Sequence, residues 1–338
     1  MKANAKRKLG RIDLDVTALS LGTVAIGNLR KSISETQSAD TFDAAWDAGI
    51  RYYDTAPLYG HGLAELRTGV GLRQKNRGDY VLSSKVGRLL RPRPRNSINF
   101  GGWVDVTPFE LVFDYSYDGT MRAFEDSLQR LAVERMDICF IHDIDVFTRG
   151  DEQPEAFRQA MDGAFRALDR LRSEGMVKAI GVGVNEWEVC EAALRQHDFD
   201  CFLLAGRYSL LEQESLNSFL PLCVERNASV VVGGGFNSGI LATGAVEGAR
   251  YNYGPAPAPI LERVRKIEAV CSEFSVPLQA AAMQFVTAHP AVSSLIVGAR
   301  GPAQLKQNVA WFESTIPAGL WDTLKEQGLL AQDAPVPA

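Results

Sequence analysis

Short apolar segments alternate with segments of helical periodicity along almost the entire chain, and this alternation restricts the fold more than any other feature. There are about eight such apolar segments, and seven precede a plausible helix. Strands that alternate with helices favour a parallel sheet covered by helices. Eight units within 338 residues fit one closed (β/α)8 TIM barrel better than the alternative, a doubly wound open sheet, because no strand–GxGxxG–helix unit is present.

The sequence predicts a single domain over residues 1–338, with a core over about 8–315, an N-terminal β-hairpin and a long loop after the third strand. Loop 87–116 lacks periodicity and is expected to be functional or partly disordered, and residues 1–6 and 331–338 to be loose tails. The predicted strands are Leu19–Gly22, Ile50–Asp54, Tyr80–Lys85, Met136–Ile141, Lys178–Val184, Phe202–Ala205, Ser229–Val232 and Ser293–Val297. The predicted helices are one between the capping residue Ser34 and Gly49, then Glu65–Arg73, Tyr117–Leu131, Pro154–Glu174, Glu186–Gln196, Leu216–Glu225, Ile260–Phe274, Gln279–Ala288 and Gln304–Phe312.

Composition argues against several classes of function. The net charge is −5, from 36 Lys and Arg against 41 Asp and Glu, whereas a nucleic-acid-binding protein presents a basic face. One basic run, 88–95, is interpreted as a solvated loop or as a contact for an anionic substrate or partner. No apolar run approaches the ~18 residues of a membrane span, and no secretion signal is recognised. The five cysteines lack CxxC spacing, which favours reduced core residues in a cytoplasmic protein.

Reactive side chains occur at the ends of neighbouring predicted strands. Asp54 ends the second strand, and Tyr59 lies in the loop that follows. Lys85 ends the third strand, and His142 follows the fourth. In a barrel of this type the chemistry lies at the carboxyl ends of the strands, so we expect these four side chains to meet. Each has a structural explanation of its own, but their coincidence favours an acid–base site.

The chain resembles the aldo-keto reductase superfamily over roughly residues 8–315. The resemblance is carried by Leu21-Gly22-Thr23, Asp54-Thr55-Ala56, Tyr59-Gly60, Glu65, Ser84-Lys85, Ile141-His142, Gly181 through Asn185, and Ala299–Asn308. Within the superfamily, segments Gly181–Trp187 and Phe236–Leu241 are similar to D-threo-aldose (L-fucose) 1-dehydrogenases and pyridoxal 4-dehydrogenases. Both kinds of enzyme oxidise a cyclic hemiacetal to a lactone with NAD.

The resemblance implies a role for each of the four strand-end residues. Tyr59 would be the general acid and base on the substrate oxygen. Lys85, held by Asp54, would lower the pKa of the phenol, which is about 10 in a free tyrosine. His142 would donate a hydrogen bond to the reacting oxygen and orient it.

The resemblance also implies NAD as the cofactor. The expected contacts are Gly22, Thr23, Asn185, Phe236, Asn237, Ser238, Gly239, Leu241, Arg300, Gln304, Gln307 and Asn308. Among them, Asn185 would bind the carboxamide, and Gln307 and Asn308 would meet the adenine. Two positions depart from the pattern of many relatives, Ala205 in place of a glutamine and Gly233 in place of a stacking tyrosine. Gln304 stands where relatives that prefer NADP often carry arginine, which predicts a preference for NAD because a 2′-phosphate needs cationic partners.

Two further residues are expected near the substrate. Trp103, in the long loop, is interpreted either as a side chain that closes over the substrate or as one that packs on the barrel rim. His61 either touches the substrate or is a solvated turn residue. Asp143 and Asp145 flank His142, but no second histidine lies at ligand spacing, so no metal site is predicted.

The resemblance therefore implies an NAD-dependent dehydrogenase that oxidises a cyclic hemiacetal, either pyridoxal or an aldose such as L-fucose, D-arabinose or L-galactose. The only expected partner is this small-molecule substrate, with neither nucleic acid nor membrane, and the oligomeric state stays open. One alternative is a general NADPH-dependent aldehyde and ketone reductase. The other is a nucleotide-sensing binding subunit like the potassium-channel β subunits.

Overall fold

A computed structural model describes residues 1–337, which contain fourteen β-strands. In chain order the strands are β1 (Lys6–Lys8), β2 (Asp15–Thr17), β3 (Leu19–Gly22), β4 (Tyr52–Asp54), β5 (Val81–Val86), β6 (Arg88–Pro92), β7 (Phe109–Phe113), β8 (Ile138–His142), β9 (Ala179–Val184), β10 (Cys201–Ala205), β11 (Ser229–Gly233), β12 (Arg250–Tyr251), β13 (Gly254–Pro255) and β14 (Val292–Gly298). Strands β3, β4, β5, β8, β9, β10, β11 and β14 pair in that order and close into a parallel barrel. The predicted (β/α)8 TIM barrel is confirmed, and all eight predicted strands are strands of this barrel.

Thirteen α-helices lie within the described residues. They are α1 (Glu35–Asp47), α2 (Leu63–Leu72), α3 (Tyr117–Leu131), α4 (Val146–Arg149), α5 (Gln153–Gln159), α6 (Phe165–Ser173), α7 (Trp187–Gln196), α8 (Phe219–Glu225), α9 (Ile240–Thr243), α10 (Ala258–Glu273), α11 (Leu278–Val286), α12 (Pro302–Glu313) and α13 (Ala318–Glu326). The predicted helix over 154–174 is divided, because a π-helical turn at Ala160–Ala164 separates α5 from α6. Helix α13 was not predicted. None of these helices is both long and apolar enough to cross a bilayer.

Local sequence signals explain where the first helix begins and ends. The Ser34 side chain accepts a hydrogen bond of 3.0 Å from the backbone N–H of Gln37, which caps the amino end of α1. Gly49 follows the other end with φ +78°, the left-handed conformation that glycine adopts at low cost. The chain then reverses directly into β4, so a short connection delivers Asp54 to the carboxyl end of the barrel.

The N-terminal β-hairpin is present and closes the amino end of the barrel. Strands β1 and β2 pair antiparallel. Leu9, Leu14 and Val16 of this hairpin join a buried cluster with Tyr52 and Phe140 from the barrel interior. Since side chains alternate along a strand, a barrel of eight strands has an interior filled by side chains and not a pore.

The prediction of loose tails at residues 1–6 and 331–338 is wrong at both ends, for the same physical reason. Ala3 is fully buried, and its backbone N–H donates a hydrogen bond of 2.9 Å to the Glu313 carboxylate. Near the other end, Ala331 N–H donates to Gln213 at 2.7 Å, and Ala334 is buried. Contacts with distant elements hold these segments, although their local sequence is irregular. Ala338 lies outside the described residues.

The long loop after the third barrel strand contains regular structure. Strands β6 and β7 pair antiparallel, with Leu90 opposite Leu111. The hairpin extends from the carboxyl end of the barrel, where β5 ends. A further short hairpin, β12 and β13, also lies after the carboxyl end of a barrel strand. These two hairpins are the additions that border the site described next.

Candidate active site

Side-chain alternation brings three of the predicted residues to one end of the barrel interior. Residues 52 and 54 of β4, 81, 83 and 85 of β5, and 138, 140 and 142 of β8 share the inward face, because every second residue of a strand points the same way. Asp54, Lys85 and His142 are the last inward residues of their strands. The parallel register therefore places a carboxylate, an ammonium and an imidazole at the same mouth of the barrel.

Lys85 and Asp54 form a buried ion pair. The Lys85 Nζ lies 2.7 Å from Asp54 Oδ2 and donates a second hydrogen bond of 2.8 Å to the carbonyl oxygen of Thr55. The other carboxylate oxygen of Asp54 accepts a bond of 2.6 Å from Ser83 Oγ. Both charged side chains are at most 3% exposed. A buried pair of this kind depends on further hydrogen bonds, and here the ammonium has two acceptors while each Asp54 oxygen has a donor.

A tight turn after β4 brings Tyr59 over the Lys85 ammonium. Gly60, His61 and Gly62 all have positive φ values, and a Cβ on Gly60 would lie 2.5 Å from the carbonyl oxygen of Gly27. The turn leaves Lys85 Nζ 4.8 Å from the centroid of the Tyr59 ring. Tyr59 is thus within the electrostatic reach of the ammonium.

The pKa of Tyr59 differs from the expectation. Burial raises this pKa well above its ordinary value, the carboxylates of Asp54 and Asp143 raise it further, and Arg88 opposes them. This net direction is opposite to the expected lowering, because burial, the largest cause, raises the pKa and the carboxylate that pairs with Lys85 raises it further. Tyr59 is accordingly a neutral phenol, able to donate a proton.

His142 lies beside the Tyr59 ring. The two ring centroids are 6.1 Å apart and the rings are nearly perpendicular. Burial, with additional effects from Arg88 and Lys85, lowers the pKa of His142 well below its ordinary value. The Tyr115 hydroxyl donates a bond of 2.9 Å to the His142 carbonyl oxygen and fixes the backbone. His142 is therefore a neutral imidazole, with one ring N–H available as a hydrogen-bond donor.

A groove with two connected cavities runs from Tyr59 toward α12. The inner cavity, about 270 Å³, is lined by Gly22, Tyr59, Gly206, Gly233, Gly234, Asn237, Ser238 and Tyr253, among others. The outer cavity, about 340 Å³, is lined by Phe236, Ser238, Gly239, Arg300 and Gln304, among others. The two share Val24, Gly234, Ser238, Ile296 and Gly298.

The groove fits an extended dinucleotide. Five of the residues that line its inner cavity are glycines, which let a ligand approach the main chain closely. Asn237 and Ser238 hold positive φ values of 44° and 59°, a strained conformation that often occurs at ligand-binding turns. Arg300 supplies a cation at the outer end. Shape, bare backbone and a terminal cation together suit a long anionic ligand with flat rings.

Not all of the predicted cofactor contacts line this groove. Thr23 and Leu241 are fully buried, and the Thr23 hydroxyl is bonded to the carbonyl of Asp54. Asn308 is also buried and donates to the carbonyl of Gly298 at 3.2 Å, while Gln307 is exposed and outside the lining. Packing occupies the buried side chains, so the positions of these residues do not support direct contacts. The predicted residues that do border the cavities are Gly22, Phe236, Asn237, Ser238, Gly239, Arg300 and Gln304.

Asn185 borders a third cavity and is held from two sides. Its backbone N–H donates a bond of 2.6 Å to Asp145, a fully buried carboxylate. Its side-chain Oδ1 accepts a bond of 2.8 Å from the Tyr253 hydroxyl. Tyr253 lies between β12 and β13 and was not predicted as a site residue. Its sequence signal is weak, since only the neighbouring Gly254 marks a turn there.

This third cavity, which we call the Trp103 cavity, is about 280 Å³ and adjoins the inner cavity at Tyr59 and Tyr253. It is also lined by Trp103, His142, Asp143, Phe147, Thr148 and Asn185, among others. The Trp103 ring lies 6.1 Å from the Tyr59 ring. Aromatic walls with a few polar groups are typical of a site for a small organic substrate.

His61 occupies a different place. It is only 2% exposed, its Nδ1 lies 2.7 Å from the carbonyl oxygen of Phe109, and its ring packs 5.1 Å from Phe100. It thus anchors the β6–β7 hairpin to the turn after β4. Its position does not support the contact with substrate expected from the sequence. Among residues 1–337, no cluster of three or more metal-ligating side chains is found.

Comparison with known proteins identifies relatives of the same architecture. The family model described as "Aldo/keto reductase family" matches residues 18–327. A pyridoxal 4-dehydrogenase from Microbacterium luteolum is 46% identical, covering 98% of this chain and 99% of the relative. A D-threo-aldose 1-dehydrogenase from a Pseudomonas species is 40% identical, covering 94% and 95%. The predicted resemblance to this branch, and the expectation of an oxidoreductase, are confirmed.

A solved structure agrees with the fold. The holo form of an aldo-keto reductase from Bacillus halodurans superposes with a TM-score of 0.72 at 27% identity, covering 100% of this chain and 98% of the other. The family uses a nicotinamide cofactor.

Proposed function

The chain belongs to the aldo/keto reductase family, and on this premise we propose that it is an NAD-dependent dehydrogenase that oxidises a cyclic hemiacetal to a lactone. The observation that carries the proposal is the buried Lys85–Asp54 pair beneath Tyr59, at the junction of the cofactor groove and the Trp103 cavity. One barrel domain would hold the whole site. The five cysteines are unpaired and buried, which supports a cytoplasmic location.

Tyr59 would act on the hydroxyl proton of the hemiacetal. Its phenolate would accept that proton during oxidation, and its phenol would return the proton to the carbonyl oxygen during reduction. Lys85 would stabilise the phenolate through its ammonium, 4.8 Å from the ring centroid, while Asp54 fixes the position of the ammonium. His142, a neutral imidazole, would donate a hydrogen bond to the same substrate oxygen and orient it toward Tyr59.

The groove residues would orient the cofactor. When bound, the nicotinamide ring supplies the hydride acceptor. Gly22 and Gly233 offer bare backbone beside the inner cavity, and Ser238 and Arg300 border the outer part. Asn185, whose backbone N–H donates to Asp145, borders the Trp103 cavity and would present its amide there.

We propose a preference for NAD over NADP. Gln304 borders the outer cavity and is uncharged, and its Oε1 accepts a bond of 3.0 Å from the backbone N–H of Arg300. The Arg300 guanidinium already donates to the carbonyl oxygen of Leu29 at 3.0 Å. A 2′-phosphate binds well where several cationic donors converge, and this outer cavity provides one guanidinium that is already engaged.

The printed names of the relatives guide the choice of substrate. Pyridoxal and aldoses such as L-fucose, D-arabinose and L-galactose are the candidates, because relatives at 46% and 40% identity are named for pyridoxal and D-threo-aldoses. Aromatic side chains line the Trp103 cavity together with Thr148 and Asn185, which suits a compact ring that carries hydroxyl groups.

The test is a screen of these four substrates with NAD and with NADP, followed by the growth of NADH or NADPH absorbance. We expect turnover of at least one hemiacetal, with a higher kcat/KM for NAD than for NADP. NADPH-dependent reduction of simple aldehydes without oxidation of any hemiacetal would contradict the proposal in favour of a general reductase. Tight NAD binding without turnover of any substrate would favour a nucleotide-sensing subunit.

A further inference from the structure

The residue after His142 is Asp143, whose carboxylate has no role in the proposed acid–base mechanism. Asp143 is 7% exposed and borders the Trp103 cavity with Tyr59 and His142. Its φ is +54°, which is uncommon for a residue other than glycine. The strained conformation is fixed by neighbouring elements. Asp143 N–H donates a bond of 3.0 Å to Gly183, and its carbonyl oxygen accepts one of 2.7 Å from the Tyr115 hydroxyl.

One oxygen of this carboxylate is held by a buried guanidinium. Arg88 Nη2 lies 2.7 Å from Asp143 Oδ2, and both side chains are less than a tenth exposed. Arg88 stacks 4.3 Å from the centroid of Phe113, its neighbour across the β6–β7 hairpin. The hairpin therefore orients the carboxylate rigidly, and only the second oxygen, Oδ1, is left to face another group.

The free oxygen lies beside the imidazole. Asp143 Oδ1 is 3.5 Å from His142 Nε2, which is too long for a good N–H···O hydrogen bond. The neutral imidazole and the carboxylate oxygen thus remain available to a third partner. Two adjacent oxygens of one substrate would match them, one as the acceptor for the imidazole and the other as a hydroxyl donor to the carboxylate.

We propose that Asp143 Oδ1 accepts a hydrogen bond from a substrate hydroxyl on the carbon next to the reacting carbon. This deepens the proposed function and rests on it. The class of substrate is then a neutral α-hydroxy hemiacetal, such as an aldose with its C2 hydroxyl. A simple aldehyde lacks the required donor, and an anionic substrate would meet a buried negative charge.

The test compares two sugars that differ only at this hydroxyl. D-Arabinose carries the C2 hydroxyl, and 2-deoxy-D-ribose is the same pentose without it. The measured quantity is the ratio of their kcat/KM values in wild type, in Asp143→Ala and in a double variant, Arg88→Met with Asp143→Leu. Comparing ratios between proteins cancels the intrinsic reactivity of each sugar.

The double variant separates loss of the substrate contact from loss of stability. Asp143→Ala leaves the Arg88 charge buried without its partner, whereas the double variant replaces both charges by apolar side chains. Glu110→Gln is the matched control, because it breaks the exposed Arg93–Glu110 pair of the same hairpin, away from the cavity. Thermal unfolding and the Kd for NAD are measured for every variant to show that fold and cofactor site are retained.

We expect the preference for D-arabinose to fall on the order of 10- to 100-fold in both Asp143 variants, the range of a hydrogen bond to a charged group. Glu110→Gln keeps the wild-type ratio. An unchanged ratio with active wild type would overturn the inference and leave the proposed function standing, since a merely positioning role through His142 slows both sugars equally. If wild type oxidises pyridoxal alone, whose ring hydroxyl is not on the carbon next to the reacting carbon, the inference is overturned and the proposed function stands. Absence of turnover on any hemiacetal would overturn both.

Discussion

Replacement of Lys85 by methionine tests the ion pair on which the site is built. The methionine side chain fills most of the same volume but leaves Asp54 without its cation. In the structure the Asp54 carboxylate then keeps one strong partner, Ser83 Oγ at 2.6 Å, and stays 2% exposed. The carbonyl oxygen of Thr55 loses its donor at the same time.

The expected cost is large because the remaining charge is buried. Removal of one partner from a buried ion pair costs about 3–5 kcal/mol of unfolding free energy. Replacement of both partners by apolar side chains is often close to neutral. The double variant Asp54→Leu with Lys85→Met is therefore expected to recover most of the stability that Lys85→Met loses. Neither variant is expected to oxidise a hemiacetal, so stability and activity separate.

The assay is urea unfolding followed by the fluorescence of the five tryptophans. Lys75→Met is the matched control, since Lys75 pairs with an exposed Asp43 at 3.1 Å and is expected to contribute at most about 1 kcal/mol. A Lys85→Met protein as stable as Lys75→Met would refute the reasoning. A double variant no more stable than Lys85→Met would refute it as well, because it would show that the uncompensated charge is not the cause.

Two other predictions follow from the geometry of the site and of the barrel. Burial raises the pKa of Tyr59, so the phenolate required for oxidation is scarce at neutral pH, and kcat/KM for oxidation should increase about tenfold per pH unit between pH 6 and 9. The pKa of His142 is lowered, so its titration adds no inflection to the pH profile in that range. A kcat/KM that already reaches a plateau at pH 7 would contradict the assignment of Tyr59 as a neutral phenol and of His142 as a neutral imidazole. In the barrel wall, a Cβ on Gly181 would lie 2.1 Å from the carbonyl oxygen of Cys201, so Gly181→Ala should lower the unfolding free energy by about 1–3 kcal/mol. Gly78→Ala, whose Cβ meets nothing closer than 3.8 Å, is the control in thermal unfolding, and equal melting temperatures for the two variants would contradict the packing argument.

The barrel was predictable because its strands carry a strong local signal. Strand Ser229–Gly233, for example, contains three consecutive valines and is buried throughout, and most of the strands lead into a segment of helical periodicity. The bounds of α3, Tyr117–Leu131, agree with the prediction, because Ser116 caps it and apolar residues follow at helical spacing. Knowledge of the strand ends was then sufficient to predict that Asp54, Lys85 and His142 would meet.

Elements held by distant contacts were not predictable in the same way. Strands β6 and β7 are short and half-buried, and their side chains do not alternate between apolar and polar. The burial of Ala334 depends on packing against a distant part of the chain, which nothing in its Pro-rich surroundings indicates. Helix α13 is different, since Leu320, Trp321 and Leu324 follow Pro317 at helical spacing, and this signal was available.

The pKa shifts and charge pairs of the site also could not be predicted from local sequence. The pKa of Tyr59 depends first on burial by elements far apart in sequence and then on the carboxylates of Asp54 and Asp143, so the direction of its shift required coordinates. The same holds for Asp143. Its neighbour His142 follows a predicted strand and is therefore predictable, but Arg88, which orients the carboxylate, lies 55 residues away in a loop without predicted structure.

The most direct test of the central claim is Tyr59→Phe, assayed with the hemiacetal that wild type oxidises best. This variant removes one hydroxyl and keeps the ring that borders both cavities. If Tyr59 transfers the proton, kcat should fall by about 10²–10⁴-fold, the contribution of a positioned acid–base group, while the Kd for NAD stays unchanged. A kcat close to that of wild type would contradict the account, because proton transfer would then have to occur at another residue.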